Sequence, residues 1–513
     1  MVRGPAFVFS LTVGLASACS QDSAQQVDMP LRCDPGPSGP FWIDEGESLE
    51  LVVSCRVAGS EPVTGHRFAL DSLPPGANYD PATATISWLP GLDQAAVYDI
   101  EIAVPDLDES SVLRIGVADR WDHPDNVPIA DPYSYPFEYG VPVFHLSPAP
   151  QSAEQYAVTR VIYGRRAYTA EAKKRGRTSL DYPKNSYTLK FPKNYLFSDL
   201  DRADGFVRKR RVVLTQHFDD NSYIRTRLAF DLWNALTPGI PVQSYTAVVY
   251  LDGEFWGIYT VTDHIDGDLM EAHGLSAIGN LYKAINHDAN FRLTRNDDSP
   301  KQTLHDGYEK KEGLPEDGKP GAYNVLENLV QFVATADDDR FASEINERIN
   351  MDDYTSWLLL ATFIAADDSG SKNSYHYQYV STPWRVVPWD FNASFGQTWD
   401  TRRRAVESVD YFEWTNELFL RMRNTPALAS QIAQRFRKTL DGPWSSAALQ
   451  ARIEQYLGEI PPPVMARDQA RWGDQMISYG LWNDRTDLTS PAEELQYIRT
   501  WLTRRWSIFD QIF

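Results

Sequence analysis

Cysteine is scarce: 3 residues in a chain of 513. That excludes a cysteine-rich disulfide scaffold. Cys19 belongs to the N-terminal segment, and Cys33 and Cys55 suggest one disulfide if the chain is exported. Basic charge is not in excess, with 49 Lys and Arg against 70 Asp and Glu and a net charge of −21. This argues against nucleic acid as a partner for the whole chain, because phosphate binding needs a basic surface. Beyond the N-terminus no run of about 20 apolar residues occurs, so no later membrane span is expected. His-Glu-x-x-His and Gly-x-Ser-x-Gly are both missing, which argues against a zinc or serine hydrolase. There is no Walker A or Gly-x-Gly-x-x-Gly either. Arg175-Gly176-Arg177 is the only glycine candidate for a phosphate-covering turn.

The length predicts two or three domains. A hydrophobic content of 42 % with 15 Trp and 26 Tyr marks a globular chain. At the N-terminus Arg3 precedes an apolar run from Ala6 to Ala16, then Ser17-Ala18-Cys19. Small residues after such a run read as a secretory signal peptide over residues 1–18. The Cys directly after them resembles a bacterial lipoprotein signal, in which Cys19 would be lipidated. The usual Leu three positions earlier is Ala16 here. Residues 19–32 then form a tether, and the implied location is the bacterial outer membrane or cell surface. Ordinary secretion with a chance Cys is the alternative.

Residues 33–117 read as all-β. Leu49, Leu51, Val53, Cys55 and Val57 alternate with period two, and Val97–Val104 alternates again. The run Leu73–Asp80, then Thr85–Gly91 and the Val97–Val104 strand, resembles bacterial Ig-like, cadherin-like modules. Such modules serve as spacers or ligand-binding units, with Trp88 in the core. Residues 118–140, rich in Asp and Pro, predict a linker. A second domain, 141–513, opens with an edge-like strand near Pro142.

Within that domain residues 173–211 reverse the sign of the chain, with twelve Lys or Arg against four Asp. The alternating run Asn185–Lys193 places Lys190 on a strand. A cationic strand suits a polyphosphate, and a solvated basic face is the other reading. From Asp219 to Leu236 the apolar residues recur at helical spacing. Asp220 serves as an N-cap or an ion-pair partner there, and Asp231 is a second candidate. Two strands flank Asp252-Gly253, a hairpin signal. A strand carrying Lys283 follows, and the chain turns helical from Ala322.

The stretch Asp367–Gly396 holds the remaining chemistry. Asp367 and Asp368 precede Asn373, and Asp390 ends a short apolar run between Trp389 and Phe391. Hard oxygen donors at hairpin ends suit a hydrated Mg²⁺ against phosphate. Protein kinases use the same set: an Asp, an Asn five positions on, and a later Asp before Phe. The alternatives are an Asx-capped loop for Asp368 and Asn373, and a structural partner such as Arg385 for Asp390.

These residues carry a resemblance to the CotH (spore-coat protein H) kinase family of atypical kinase-like proteins. The matching segments are Arg175–Phe191, Asp219–Trp233, Val248–Asp266, Leu281–Ala284, Asp367–Tyr379 and Val387–Gly396. The resemblance implies an α+β kinase-like domain, β-rich N-lobe above a helical C-lobe, behind the Ig-like sandwich. It implies ATP with Mg²⁺ or Mn²⁺ and a protein Ser/Thr acceptor. By position Asp390 and Asn373 would hold metal, and Asp368 would be the catalytic acid, with Asp367 as rival. Lys190 would meet the phosphates with Lys184 as fallback, and Arg175, Asp263 and Lys283 would line the nucleotide. Two departures stand out: Asn392 where the family often has Asp, and Asp263 where it commonly has Glu. An inert surface lipoprotein scaffold is the other function considered.

Overall fold

A computed structural model describes residues 31–34, 40–57, 67–202, 205–236, 239–408, 415–480 and 490–513. The expected signal peptide, Cys19 and the tether up to residue 30 lie outside them. Nine strands come first: β1 (Leu31–Asp34), β2 (Phe41–Asp44), β3 (Leu49–Val52), β4 (Ser54–Val57), β5 (Ala69–Asp71), β6 (Asn78–Asp80), β7 (Thr85–Trp88), β8 (Ala96–Val104) and β9 (Glu109–Ala118). One sheet runs β2-β9-β8-β5 and the other β3-β7-β6. Period-two alternation gives each sheet one apolar face. Leu49, Ile86 and Trp88 therefore share a core with Ile43, Ile100 and Leu113. β1 pairs with β4 and sets Cys33 opposite Cys55, and Cys55 is disulfide-bonded.

The segment read as a linker is packed instead. Trp121 stacks on Phe255 with ring centroids 5.4 Å apart, and Tyr135 is fully buried. After β10 (Phe137–Glu138) come β11 (Val141–Ser147), β12 (Ala157–Tyr163), β13 (Arg166–Arg175), β14 (Ser186–Lys190), β15 (Arg211–Gln216), β16 (Ser244–Leu251) and β17 (Glu254–Asp263). They pair in the order β11-β12-β13-β14-β15-β17-β16, and β11 also pairs in parallel with β16. The sheet thus closes into a seven-stranded barrel. β11 is no edge strand: Phe144 and Leu146 fill the barrel while Val143 joins the helical core outside it. A strand apolar on both faces is one buried on both faces. The β16–β17 hairpin turns on Asp252 and Gly253, both with positive φ (52° and 88°), as a two-residue type I′ turn requires.

The remaining elements are α1 (Arg225–Leu236), α2 (Gly267–Ala272), β18 (Asn280–Ala284), β19 (Tyr308–Glu312), α3 (Asn324–Thr335), α4 (Asp338–Arg348), α5 (Met351–Phe363), β20 (Ser374–Gln378), β21 (Arg385–Pro388), α6 (Glu417–Asn424), α7 (Pro426–Asp441), α8 (Ser446–Glu459), α9 (Pro462–Ser478) and α10 (Pro491–Ile512). A four-stranded sheet, β19-β18-β20-β21, sits among these helices. α5 is buried from Asp353 to Phe363; a helix apolar all round belongs at a core centre. It delivers the chain to Asp367. Among the described residues no helix is long and apolar enough to cross a membrane.

Candidate active site

A cleft of about 1380 Å³ separates the outer face of the barrel from the four-stranded sheet. Strand alternation decides what the barrel offers. On β14, Tyr187 and Leu189 point into the barrel, so Ser186 and Thr188 face the cleft. By the same rule Lys173 and Arg175 of β13 and Arg211 and Thr215 of β15 line it. Opposite stand Lys283, Tyr375, Asp368, Asn373, Trp389 and Asp390.

Two loops bring the acids together. The Trp389 amide donates to the Asn373 carbonyl at 2.7 Å. The Ser369 hydroxyl lies 2.8 Å from the carbonyls of both Trp389 and Asp390. Asn373 and Asp390 have left-handed backbone, φ 56° and 66°, which Asn and Asp tolerate better than most residues. Asn373 donates Nδ2 to Asp368 Oδ2 at 3.1 Å. Lys372 pairs with Asp368 at 2.6 Å, and His287 Nε2 lies 3.7 Å away. Both acids of the doublet line the cleft, with different partners. Asp367 turns aside to an ion pair with Arg404 and accepts from the Trp399 amide at 3.3 Å.

Asp390 is exposed to the cleft by surface area, although protein crowds the cleft wall around its carboxyl. Its carboxyl is pushed up by burial and then by Asp368, against the pull of Lys283, Arg175 and Lys372. Asp368 is also raised, by burial first, with Lys372 and Asn373 opposing. Burial holds His287 down at about 4, so it is neutral at pH 7. Arg385 is no partner of Asp390; it pairs with Asp353. Arg175 lies over the Trp389 ring, 5.1 Å from its centroid, and among the described residues its buried Nη1 has no hydrogen-bond partner. Lys283 sits 5.6 Å from the Tyr375 ring centroid.

Three expected residues are not brought to this point. Lys184 is fully buried in an ion pair with Asp468 of α9. Asp263 is buried against Lys209 at 2.7 Å. Lys190 is on the outward face of β14, but it pairs with Glu171 at 2.7 Å and does not line the cleft. Nor do the helix acids meet a cleft lysine: Asp220 pairs with buried Arg225 and Asp231 accepts from Tyr456. Sequence reasoning missed Asp219, which lines the cleft, is 5 % exposed and accepts from Asn392 at 2.6 Å. Burial, then Asp220 and Asp390, push its carboxyl up to about 7. It also missed Arg211, which lines the cleft and pairs with Asp266 at 2.7 Å. Period two along β15 was the available signal for Arg211; nothing in the sequence brings Asp219 near Asp390.

Among the described residues no group of three or more His, Cys, Asp or Glu is arranged to hold a metal. The donors fit a cation of the Mg²⁺ type, which keeps waters and shares phosphate oxygens with one or two carboxylates. Asp390 would be such a carboxylate. The Asn373 amide nitrogen is spent on Asp368, which leaves its oxygen for a cation. The unpaired Arg175 Nη1 suits an anion.

A barrel set against a helical lobe, with acids and cations facing across the cleft between them, defines a two-lobed class of protein. The chain belongs to the CotH kinase family: the family model described as CotH kinase protein matches residues 172–509, more than half of the sequence. That match takes in every cleft-lining residue except Ala153 and Tyr156. The chain is also similar to the inner spore coat protein H of Bacillus subtilis (strain 168), 26 % identical over 295 residues, 57 % of this chain and 76 % of that protein.

Proposed function

We propose that the protein is an atypical protein kinase that moves the γ-phosphoryl group of Mg-ATP to a Ser or Thr hydroxyl of a protein outside the cytoplasm. One observation carries the reading: Asp368, Asn373 and Asp390 meet on two laced loops across a cleft from Arg175. Mg²⁺ or Mn²⁺ held by Asp390 and Asn373 would neutralise phosphate charge. Arg175 and Lys283 take the phosphate oxygens, and Lys173 and Arg211 extend that cationic wall. Asp368 accepts the hydroxyl proton as the acceptor oxygen bonds to the γ-phosphorus. The bond to the β–γ bridging oxygen breaks and ADP leaves. In this reading the N-terminal sandwich is an Ig-like stalk, tethered through a lipidated Cys19. The spore-coat role in the name of the similar Bacillus protein supports a surface setting.

Calorimetry tests the assignment. Asp390→Ala should abolish Mg-nucleotide binding, and unchanged binding removes the core of the idea. Asp368→Asn should spare binding and stop transfer of labelled phosphate. One observation favours a second reading, an inert surface scaffold: Lys372 already occupies Asp368 at 2.6 Å. A thermal-shift scan separates the two. Stabilisation by ATP with Mg²⁺ or Mn²⁺ supports the kinase, and none supports the scaffold.

A further inference from the structure

The loop that carries Asp390 is braced by the segment between β15 and α1. Asn392 donates Nδ2 to Asp219 Oδ2 at 2.6 Å. Gln397 donates Nε2 to the Asp219 carbonyl at 2.7 Å. Arg225 donates Nε to the Ser394 carbonyl at 3.1 Å. Arg225 is itself fully buried between Asp220 and Glu494, so the brace is fastened to α10. Asp219 is where this brace reaches the cleft. Its other side-chain bond comes from Gln216 at 3.4 Å. Among the described residues no cation lies within ion-pair distance of it. A buried carboxylate whose partners are amides works as a hydrogen-bond acceptor rather than as one half of an ion pair.

We propose that Asp219 is a positioning residue for the divalent cation: by accepting from Asn392 it fixes the turn that aims the Asp390 carboxylate. The inference rests on reading Asp390 as the metal-holding residue. Residues that orient a metal ligand through hydrogen bonds typically change metal affinity by about 10- to 100-fold when removed.

The test is calorimetric titration of Mn²⁺ with a non-hydrolysable ATP analogue into the full chain. Asp219→Ala should raise the Mn²⁺ Kd by about tenfold. Asp219→Asn keeps an acceptor oxygen and should restore wild-type affinity. Asn392→Ala should match Asp219→Ala, and the double variant should be no weaker than either, because both remove the Asn392–Asp219 bond. If Asp219→Ala does not fold, as judged by its ligand-free melt, Asn392→Ala carries the test. Equal loss in Asp219→Asn and Asp219→Ala overturns the proposal, because the charge rather than the bond would then matter. Unchanged affinity in Asn392→Ala, or additive losses, also overturn it. An Asp390→Ala variant that binds Mn²⁺ normally sinks the kinase reading itself, which is a different failure.

Discussion

Burial decides what each lysine can do. Lys184 and Lys283 both lie on or beside strands, but one is sealed against Asp468 and the other faces the cleft. Removing one partner of a buried pair leaves the other charge stranded, at about 3–5 kcal/mol. Lys184→Met should therefore lower the urea midpoint sharply while the folded fraction binds Mg-ATP as before. Lys283→Met should do the reverse, leaving the stability within about 0.5 kcal/mol and weakening nucleotide binding. Equal nucleotide losses in the two variants would contradict this division. At this scale the sequence was partly legible. That Asp368, Asn373 and Asp390 come together could be read because a short hairpin joins them and their spacing is local. Lys190 and Lys184 were misjudged because strand membership gives a face but not a partner. Glu171 sits across the register from Lys190, while Asp468 lies far along the chain from Lys184. Asp219 carried no signal of its own because its partner Asn392 is equally remote in sequence.

β17 and α9 meet at a glycine. Gly257 has φ 115°, and a Cβ there would lie 2.0 Å from Asp468 Oδ1 and 2.9 Å from Lys184 Nζ. No side chain fits that gap, and the backbone conformation suits glycine alone. The same Asp468 also accepts from the Ile258 amide at 2.7 Å and from Tyr223 at 3.0 Å. Gly257→Ala should thus lift α9 off the barrel. It should cost roughly 2 kcal/mol or more and speed hydrogen exchange along α9 before the barrel strands. Exchange unchanged in α9 would show that the contact is slack. Elements with local signals were readable: the β16–β17 hairpin from Asp252-Gly253, and α1 from its apolar spacing. Closure of the barrel was not. It depends on β11 pairing in parallel with β16, whose register joins Val143 to Val248, and no local pattern encodes that partnership.

The whole molecule is held at the joint between the N-terminal sandwich and the barrel, where three acids are buried around one arginine. Glu45 accepts from the backbone amides of Gln94, Ala95 and Arg120 at 2.9, 2.7 and 3.0 Å. Glu138 holds Arg467 of α9 at 2.7 Å and accepts from Tyr250 at 2.7 Å. Asp119 is fully buried, and among the described residues neither carboxylate oxygen has a partner within hydrogen-bond geometry, although Tyr250 is near enough to pull its carboxyl down. Burial drives its carboxyl up to about 7, Glu45 and Glu138 add to the rise, and Arg467 opposes it. A group raised above its ordinary value of 3.8 gives its stabilisation in full below pH 4. That stabilisation is lost as the pH climbs to 7, because the folded joint must then hold a charge it does not solvate. The full loss is on the order of 4 kcal/mol. Asp119→Asn removes the titration, since an amide carries no charge at either pH. Calorimetric melts at pH 5 and pH 8 should show a smaller difference for the variant than for the wild type, with the variant the more stable at pH 8. Asp219, raised in the same direction, leaves a residual slope that both proteins share. If the two slopes coincide, Asp119 is already satisfied by solvent, and the joint owes its cohesion to the Trp121–Phe255 stack and the Arg467–Glu138 pair.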